Sequence, residues 1–304
     1  MATTDVPEVA KNEDSLRGFA FALTAYMLWG FLPIYMKAVA HISPLEVVAH
    51  RILWSVPLAG VVLVILRRTA DLKAALRSRD TLMMTALTAT IITINWGTYI
   101  WAIAVDRALD TALGYFINPL FSIFLAAVLL RERLQPVQWL AIALVVVAVA
   151  IITYDAGGLP WVSLVITVTW GFYAFFRKTL PVGPNQGFFL EVLVLSPFGL
   201  AYIAYVESTG GGHFFNTGIS DTALLIGCGF ATAVPLMIYA NAAKLLRLST
   251  IGIMQYIAPT MIFLIAVFVF HETLSMVRLG AFGLIWAALG IYSWGILKTS
   301  RHHR

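Results

Sequence analysis

Tyr99–Ala141, which reads YIWAIAVDRALDTALGYFINPLFSIFLAAVLLRERLQPVQWLA, decides the fold because Tyr239–Ala281 repeats it as YANAAKLLRLSTIGIMQYIAPTMIFLIAVFVFHETLSMVRLGA. At a displacement of 140 positions, the residues shared include Tyr99 and Tyr239, Arg107 and Arg247, Pro119 and Pro259, Glu132 and Glu272, and Leu134 and Leu274. Apolar composition alone does not explain a shared tyrosine, arginine, mid-segment proline and glutamate. The chain is therefore predicted to contain two copies of one unit.

Composition places the chain in a membrane. The 304 residues are 60% hydrophobic and 12% charged, whereas soluble proteins carry about 25% charged residues. Apolar runs of about 20 residues match the length of a bilayer-spanning helix. The net charge of +5 is not gathered on a soluble domain, so a lipid bilayer is expected as partner and nucleic acid is not. The single cysteine, Cys228, excludes an internal disulfide.

Ten transmembrane spans account for the apolar runs of an all-α integral membrane protein. Their predicted bounds are 18–37, 44–66, 81–104, 109–130, 137–154, 159–177, 187–206, 220–243, 249–270 and 276–297. Residues 1–14 are expected to form a disordered cytoplasmic tail, and the polar stretch Met1–Lys11 is unlike a cleavable signal peptide. The first repeat is predicted at 15–155, the second at 156–298, and a C-terminal tail at 299–304.

The basic residues predict the orientation. With the N-terminus inside, 16 of the 20 Lys and Arg residues lie in inner segments, whereas Lys37, Arg107 and Arg278 lie outside and Arg51 lies within a span. The positive-inside rule therefore predicts cytoplasmic termini at both ends. Five spans per repeat is an odd number, so the second copy must enter the membrane from the opposite side. Inverted repeats of this kind are typical of secondary transporters, whose substrate site lies near the midplane.

Two prolines and a set of aromatic and amide side chains are the candidate pathway residues. Pro119 and Pro259 lie near the centres of spans four and nine and are predicted to kink both helices. The predicted substrate-binding residues lie at helical spacings in spans one, three, four, six, eight and nine: Tyr26, Trp29, Asn95, Trp96, Tyr99, Tyr115, Asn118, Trp170, Tyr173, Tyr239, Asn241, Gln255 and Tyr256. Aromatic rings could stack on planar solutes or hold a cation. The alternatives are helix–helix contacts and an interfacial aromatic belt.

Few charged or titratable residues lie within spans: Glu46, His50 and Arg51 in span two, and Glu191 in span seven. Such groups are costly in a membrane and suggest function. Glu46 and His50 are four residues apart and are the leading candidates for proton coupling. The alternative is a structural ion pair between Arg51 and a carboxylate, or snorkelling to the interface. Glu132 and Glu272 are predicted to cap the next helix and fix the loop, with a part in transport as the alternative.

Motifs of other protein classes are missing from the sequence. It contains no nucleotide-binding loop, no His, Asp and Glu cluster at metal-ligand spacing, and no credible catalytic triad. No cofactor, metal or enzymatic activity is therefore expected.

The ordered motifs resemble the RarD type of EamA transporter, a branch of the drug/metabolite transporter superfamily. In the first half they are Trp29-Gly30, Pro33, Tyr35, Lys37, His50-Arg51, Trp54-Ser55, Asn95-Trp96, Tyr99–Ala102, Gly114–Leu120 and Glu132-x-Leu134. In the second half they are Trp170-Gly171, Arg177-Lys178, Gln255-Tyr256, Pro259-Thr260 and Glu272-x-Leu274. The match covers about residues 15–297.

This resemblance implies ten helices in two inverted repeats in the bacterial inner membrane. The expected function is secondary transport of a small-molecule substrate, a metabolite or drug-like solute, by alternating access, with export favoured. Uptake of a small organic cation or cofactor precursor is the alternative, and a scaffold or lipid-interacting helper without transport is the alternative of another class. The sequence does not decide whether the protein forms a homodimer.

Overall fold

A computed structural model describes residues 15–129, 131, 134–242, 245–246 and 248–302, and within these ranges every regular element is helical. The predicted N-terminal tail, Glu132 and Arg247 lie outside the described residues. The helices are α1 (Leu16–Ala38), α2 (Pro44–Ile65), α3 (Ala70–Ala75), α4 (Arg79–Ala104), α5 (Ala108–Leu129), α6 (Pro136–Asp155), α7 (Trp161–Thr179), α8 (Pro184–Ser208), α9 (Ile219–Ala242), α10 (Leu248–Met254), α11 (Ile257–Phe268) and α12 (Met276–His302).

Eight of these helices are long and apolar enough to cross a membrane: α1, α2, α4, α5, α6, α8, α9 and α12. The apolar parts of α7 and α11, residues 161–177 and 257–268, are shorter. Large apolar side chains such as Val64, Val146 and Phe198 are exposed around the bundle. An apolar surface of this extent needs a lipid environment, so the chain is a multi-pass membrane protein.

The predicted ninth span is not one helix. It is divided into α10 and α11, with a turn at Gln255 and Tyr256. Pro259 lies in the first turn of α11 and has no N–H to donate to the carbonyl of Gln255. The preceding segment, Thr250–Ile253, contains three β-branched residues and one glycine, which are weak helix formers. Pro119, at the matching position, lies inside an uninterrupted α5.

Two further elements differ from the predicted bounds. The short helix α3 lies in the predicted inner loop between spans two and three. Helix α12 continues to His302, into the predicted C-terminal tail. Helix starts follow ordinary capping rules: Ser15 and Ser78 accept hydrogen bonds from Gly18 N and Thr81 N, and prolines lie in the first turns of α2, α6 and α8.

The packing joins the first half of the chain to the second. Helix α1 packs on α9 and α11, α2 on α8 and α9, α4 on α7 and α8, α5 on α7 and α11, and α6 on α12. The largest cluster of buried apolar residues runs through these contacts and includes Phe116, Leu120, Ile166, Phe263 and Phe282. Helices from both halves therefore share one core.

Two matched glycines lie at close contacts between the halves. A Cβ added at Gly30 of α1 would lie 2.8 Å from the Cβ of Met261, and one added at Gly171 of α7 would lie 2.5 Å from Cδ1 of Phe121. Both distances are shorter than real Cβ contacts, so an added methyl group would force the neighbouring side chain to shift. Gly30 and Gly171 are 141 positions apart in the repeated motif Trp29-Gly30-Phe31 and Trp170-Gly171-Phe172, and their neighbours Phe121 and Met261 are 140 positions apart.

Candidate functional site

Four aromatic residues from α4, α5 and α7 form what we call the α7 cluster: Tyr99, Tyr115, Trp170 and Tyr173. The Tyr115 ring centroid lies 6.0 Å from that of Tyr99 and 6.1 Å from that of Trp170, which in turn lies 5.9 Å from Tyr173. Tyr99 and Tyr173 are buried, whereas Tyr115 and Trp170 are half-buried. The structure thus brings together predicted site residues from both halves of the chain.

Asn95 ties the α7 cluster to the helix scaffold. Its Nδ2 donates to the carbonyl of Ile166 at 3.1 Å and to Oγ1 of Thr169 at 2.9 Å. Its Oδ1 accepts a hydrogen bond from the Tyr115 hydroxyl at 3.3 Å. Because Asn95 is completely buried and bonded at both ends of its amide, it holds α4, α5 and α7 together, as expected of a polar contact between membrane helices.

Arg51 lies next to the α7 cluster. Its side chain projects from α2 and its Cζ atom lies 4.4 Å from the ring centroid of Trp96, within the range of a cation–π interaction. The residue is only 4% exposed, yet its Nε and Nη1 atoms have no hydrogen-bond acceptor. Among the described residues no carboxylate forms an ion pair with it. The predicted structural ion pair of Arg51 is therefore wrong for this part of the chain.

Two more buried polar side chains, Asn118 beside the α7 cluster and Tyr99 within it, have atoms without a hydrogen-bond partner among the described residues. Both the Oδ1 and Nδ2 atoms of Asn118 are buried without a hydrogen bond, as is the hydroxyl of Tyr99. Asn118 lies three residues beyond Tyr115 on α5, so both lie on the same face of that helix. Buried amides and hydroxyls are usually satisfied, and their concentration here indicates groups available to a ligand.

The predicted residues of α1 and α9 form a separate group, here called the α1 cluster: Tyr26, Trp29 and Tyr239. Their ring centroids lie 5.5 to 5.8 Å apart. The Tyr26 hydroxyl lies 3.5 Å from the carbonyl oxygen of Ile251 in α10. The two clusters correspond through the repeat, since Trp29 matches Trp170 and Tyr239 matches Tyr99.

Three further predicted site residues lie near the end of α9 and at the turn between α10 and α11. Asn241 is exposed, and its Nδ2 donates within α9 to the carbonyl of Met237. Gln255 and Tyr256 are half-buried at the turn between α10 and α11. Tyr256 interacts electrostatically with Tyr292 of α12, a helix that supplies no predicted site residue.

Glu46 is fixed by the glycine-rich loop rather than by its neighbours on α2. The carboxylate is fully buried and accepts hydrogen bonds from the backbone N–H of His213 at 2.7 Å and from its Nδ1 at 2.9 Å. His50 Nδ1 accepts from Trp54 Nε1 at 3.2 Å, and its ring packs on Phe214. Glu46 and His50 still interact electrostatically, but their hydrogen bonds go to other groups.

Glu191 belongs to a second buried charge pair. Its Oε1 lies 3.4 Å from Nε of Arg177, and its Oε2 accepts a hydrogen bond from the Tyr173 hydroxyl at 3.1 Å. Thr88 of α4 also interacts with this carboxylate. Glu191 is the eighth residue of α8, as Arg51 is of α2, and both helices begin with proline.

A loop carboxylate of the second half caps a helix of the first half. Glu272 accepts hydrogen bonds from the backbone N–H groups of Ala108 at 2.6 Å and Leu109 at 2.9 Å, at the start of α5. The sequence suggested that Glu272 caps the next helix, α12, but its partners lie in α5. Burial raises the pKa of Glu272, and the two backbone hydrogen bonds act in the opposite direction.

Sequence reasoning did not identify Arg177, His213 or Cys228 as partners of the buried charges. Arg177 and His213 lie in or beside loops, where their contacts depend on how the chain folds back. Cys228 interacts electrostatically with Arg51 across the α2–α9 contact. Among the described residues no group of three or more His, Cys, Asp and Glu side chains could hold a metal ion.

Comparisons with known proteins find a matching family model and similar relatives. The sequence model of the EamA-like transporter family matches residues 16–154. The chain is 37% identical to Protein RarD of Streptomyces exfoliatus over 97% of its own length and 93% of that relative. It is 35% identical to Protein RarD of Escherichia coli strain K12, over 94% of this chain and 96% of the relative.

One solved crystal structure has a similar fold. It superposes with a TM-score of 0.57, covering 90% of this chain and 96% of the other, at 18% sequence identity. At this identity the likeness concerns the fold alone.

Proposed function

Since the chain belongs to the RarD group of EamA-like transporters, we propose that this membrane transporter is a secondary active carrier that exports small metabolites or drug-like solutes by alternating access. Its two halves, 15–155 and 156–298, are proposed to be inverted five-helix repeats in the bacterial inner membrane, with both termini in the cytoplasm. The bilayer is its environment, and a small solute is its binding partner. No catalytic step is assigned to it.

The observation that carries this proposal is the correspondence of the α1 and α7 clusters. Each joins aromatic residues of both halves, and each contains a tryptophan beside a close-contact glycine. Two matched polar and aromatic surfaces between two halves are what a carrier needs to expose one site to either side of a membrane.

The packing supports the repeat in a second way. Exchanging the halves converts the α1–α9 contact into α7–α4, the α1–α11 contact into α7–α5, and the α2–α9 contact into α8–α4. The α2–α8, α5–α11 and α6–α12 contacts are converted into themselves. The match of the family's sequence model to residues 16–154 nearly coincides with the first proposed repeat.

Topology is tested with single cysteines at matched loops. In a Cys228→Ala background, Ser43→Cys and Pro181→Cys lie in exposed, equivalent loops at the starts of α2 and α8. If the repeats are inverted, an impermeant maleimide should label Ser43→Cys from outside intact cells. It should label Pro181→Cys only after the membrane is opened. Labelling of both from the same side contradicts the inversion.

Transport is tested by counterflow of a panel of labelled metabolites and antibiotics in proteoliposomes. Movement of at least one solute is expected, and Trp170→Ala should abolish it because this ring contacts both Tyr115 and Tyr173. Trp139→Ala is the matched control, since Trp139 is exposed on α6. Direction is read in cells that express the protein: export predicts lower accumulation of the solute. If no solute moves, the carrier function is wrong.

A further inference from the structure

We propose that Arg51 binds the carboxylate of a small organic monoanion, whose apolar body lies against the α7 cluster. This inference rests on the proposed transport function and names the substrate class of its site. It differs from the organic cation considered from the sequence alone.

The guanidinium of Arg51 is the charged group that would bind the anion. Arg51 is almost fully buried, and its Nε and Nη1 donors have no acceptor among the described residues. A buried charge is costly unless it is paired, and a partner that arrives with the substrate supplies the missing pairing. The guanidinium lies over the indole of Trp96, so stacking can hold its plane while the N–H groups at its edge bind a carboxylate with two parallel hydrogen bonds.

The described groups around Arg51 do not balance its positive charge. The titratable side chains that interact with it are Cys228, Tyr115 and Tyr99, which are neutral in their ordinary state at pH 7. The two buried glutamates of α2 and α8 already have other partners, His213 and Arg177. Thr88, which contacts Glu191, is eight residues from Trp96 on α4, or about 12 Å along the helix. The positive charge is therefore available to a negative ligand.

A single guanidinium is best matched by a ligand with one negative charge. Among the described residues, Arg51 is the most deeply buried lysine or arginine, and Arg177, which is also largely buried, already balances Glu191. A phosphate monoester carries about two negative charges at pH 7, for which one guanidinium provides half the compensation. A carboxylate carries one. A cationic solute would be repelled by Arg51, and the ammonium of an amino acid would find no unpaired carboxylate among the described groups.

The rest of the ligand would contact neutral polar groups and aromatic rings. The Tyr99 hydroxyl and the Asn118 amide provide unpaired neutral hydrogen-bonding groups. The rings of Tyr115 and Trp170, at 6.1 Å, provide an apolar surface between the two halves. An acid with a ring or short alkyl body and few polar groups fits these contacts.

Matched probes that differ only in the head group test the inference on the purified full-length protein. Benzoate, phenylacetate and hexanoate are compared at pH 7 with their amides, and phenylacetate also with phenylethylamine and phenylalanine. Binding is measured from intrinsic tryptophan fluorescence and thermal stability. At least one carboxylate should bind at least tenfold more tightly than its amide, while the amine and the amino acid bind more weakly. Sodium chloride, at equal sodium concentration, tests for a plain inorganic counterion.

The Arg51→Gln variant should weaken carboxylate binding by roughly 10- to 100-fold, because a charge-assisted hydrogen-bond pair is lost. Arg77→Gln, at an exposed arginine between α3 and α4, should leave it unchanged. If Arg51→Gln does not fold, Asn118→Ala and the wild-type ranking of head groups still decide. Asn118→Ala should weaken carboxylate binding while preserving the preference over the amide.

Two results overturn the inference: no carboxylate preferred over its amide in any of the three pairs, or chloride stabilising the protein as strongly as the best carboxylate. The same probes in proteoliposomes separate this inference from the proposed function. Transport of neutral solutes that is insensitive to Arg51→Gln leaves the carrier intact and refutes the anion site. Selective binding of a carboxylate without movement of any solute supports the site and refutes the carrier.

Discussion

The Arg177–Glu191 pair gives the most direct test of how this bundle tolerates buried charge. Glu191 is 1% exposed and Arg177 is 16% exposed, and their closest nitrogen–oxygen distance is 3.4 Å. The perturbation is Arg177→Met, which removes the positive charge and keeps a long apolar side chain. It leaves the Glu191 carboxylate with the Tyr173 hydroxyl at 3.1 Å and with Thr88 as its polar contacts.

Removing one partner of a buried ion pair costs about 3 to 5 kcal/mol. The lower end applies here, because Tyr173 still donates to the carboxylate and Arg177 is partly exposed. We expect Arg177→Met to lower the free energy of unfolding by about 3 kcal/mol. The double variant Arg177→Met, Glu191→Leu removes both charges. It should lie only about 1 kcal/mol below the wild type, since Arg177 also donates to the carbonyl of Pro184.

The assay is unfolding of the purified protein by dodecyl sulfate in mixed micelles, followed by tryptophan fluorescence. A complete cycle includes both single variants, and Arg77→Met at an exposed arginine is the control. The double variant should be more stable than Arg177→Met, because it does not leave an unpaired carboxylate in the core. If the two single effects simply add, or if Arg177→Met costs less than the control, the pair does not balance Glu191.

Three further outcomes follow from other contacts. Gly171→Ala should lower stability by about 1 to 3 kcal/mol through overpacking against a ring; Gly30→Ala should cost less because methionine adapts, and Gly97→Ala, in open space, should be neutral or stabilising. Glu272→Gln tests the raised pKa: the folded state binds the proton more readily, so the melting temperature of the wild type should rise relative to the variant as pH falls from 7 to 5. Benzoate should slow maleimide modification of Cys228, read by mass spectrometry; unchanged kinetics would argue against its binding near Arg51.

The helices were readable from sequence because apolar runs and their interruptions report span length directly. The predicted spans agree with α1, α2, α4, α5, α6, α7, α8, α9 and α12 to within a few residues at most ends. The break in the ninth span is harder to predict from the sequence than the length of a span. The same proline position is continuous in α5 and interrupted before α11, because the outcome depends on the helix propensity of the residues before it and on their packing.

The site was partly readable for a related reason. Helical spacing predicts that Tyr115 and Asn118 share a face, and both lie in the uninterrupted α5. The repeat relates Trp29 to Trp170. Spacing gave no information on which helix each face meets, so the separation of α1 and α7 clusters emerged only from the packing. The partners of the glutamates were hidden for the same reason, since His213 is 167 residues from Glu46.

Arg51 and Glu191 occupy the same place in α2 and α8 but carry opposite charge. In an inverted-repeat carrier with identical halves, the inward-open and outward-open states would be equal in energy. The two positions differ in net charge, because Arg177 balances Glu191 whereas no described carboxylate pairs with Arg51, and this difference removes the degeneracy. The transmembrane voltage acts on such charges at about 2.3 kcal/mol per elementary charge per 100 mV. In the proposed carrier, the balance between the two states should therefore respond to membrane potential, even without a coupling ion.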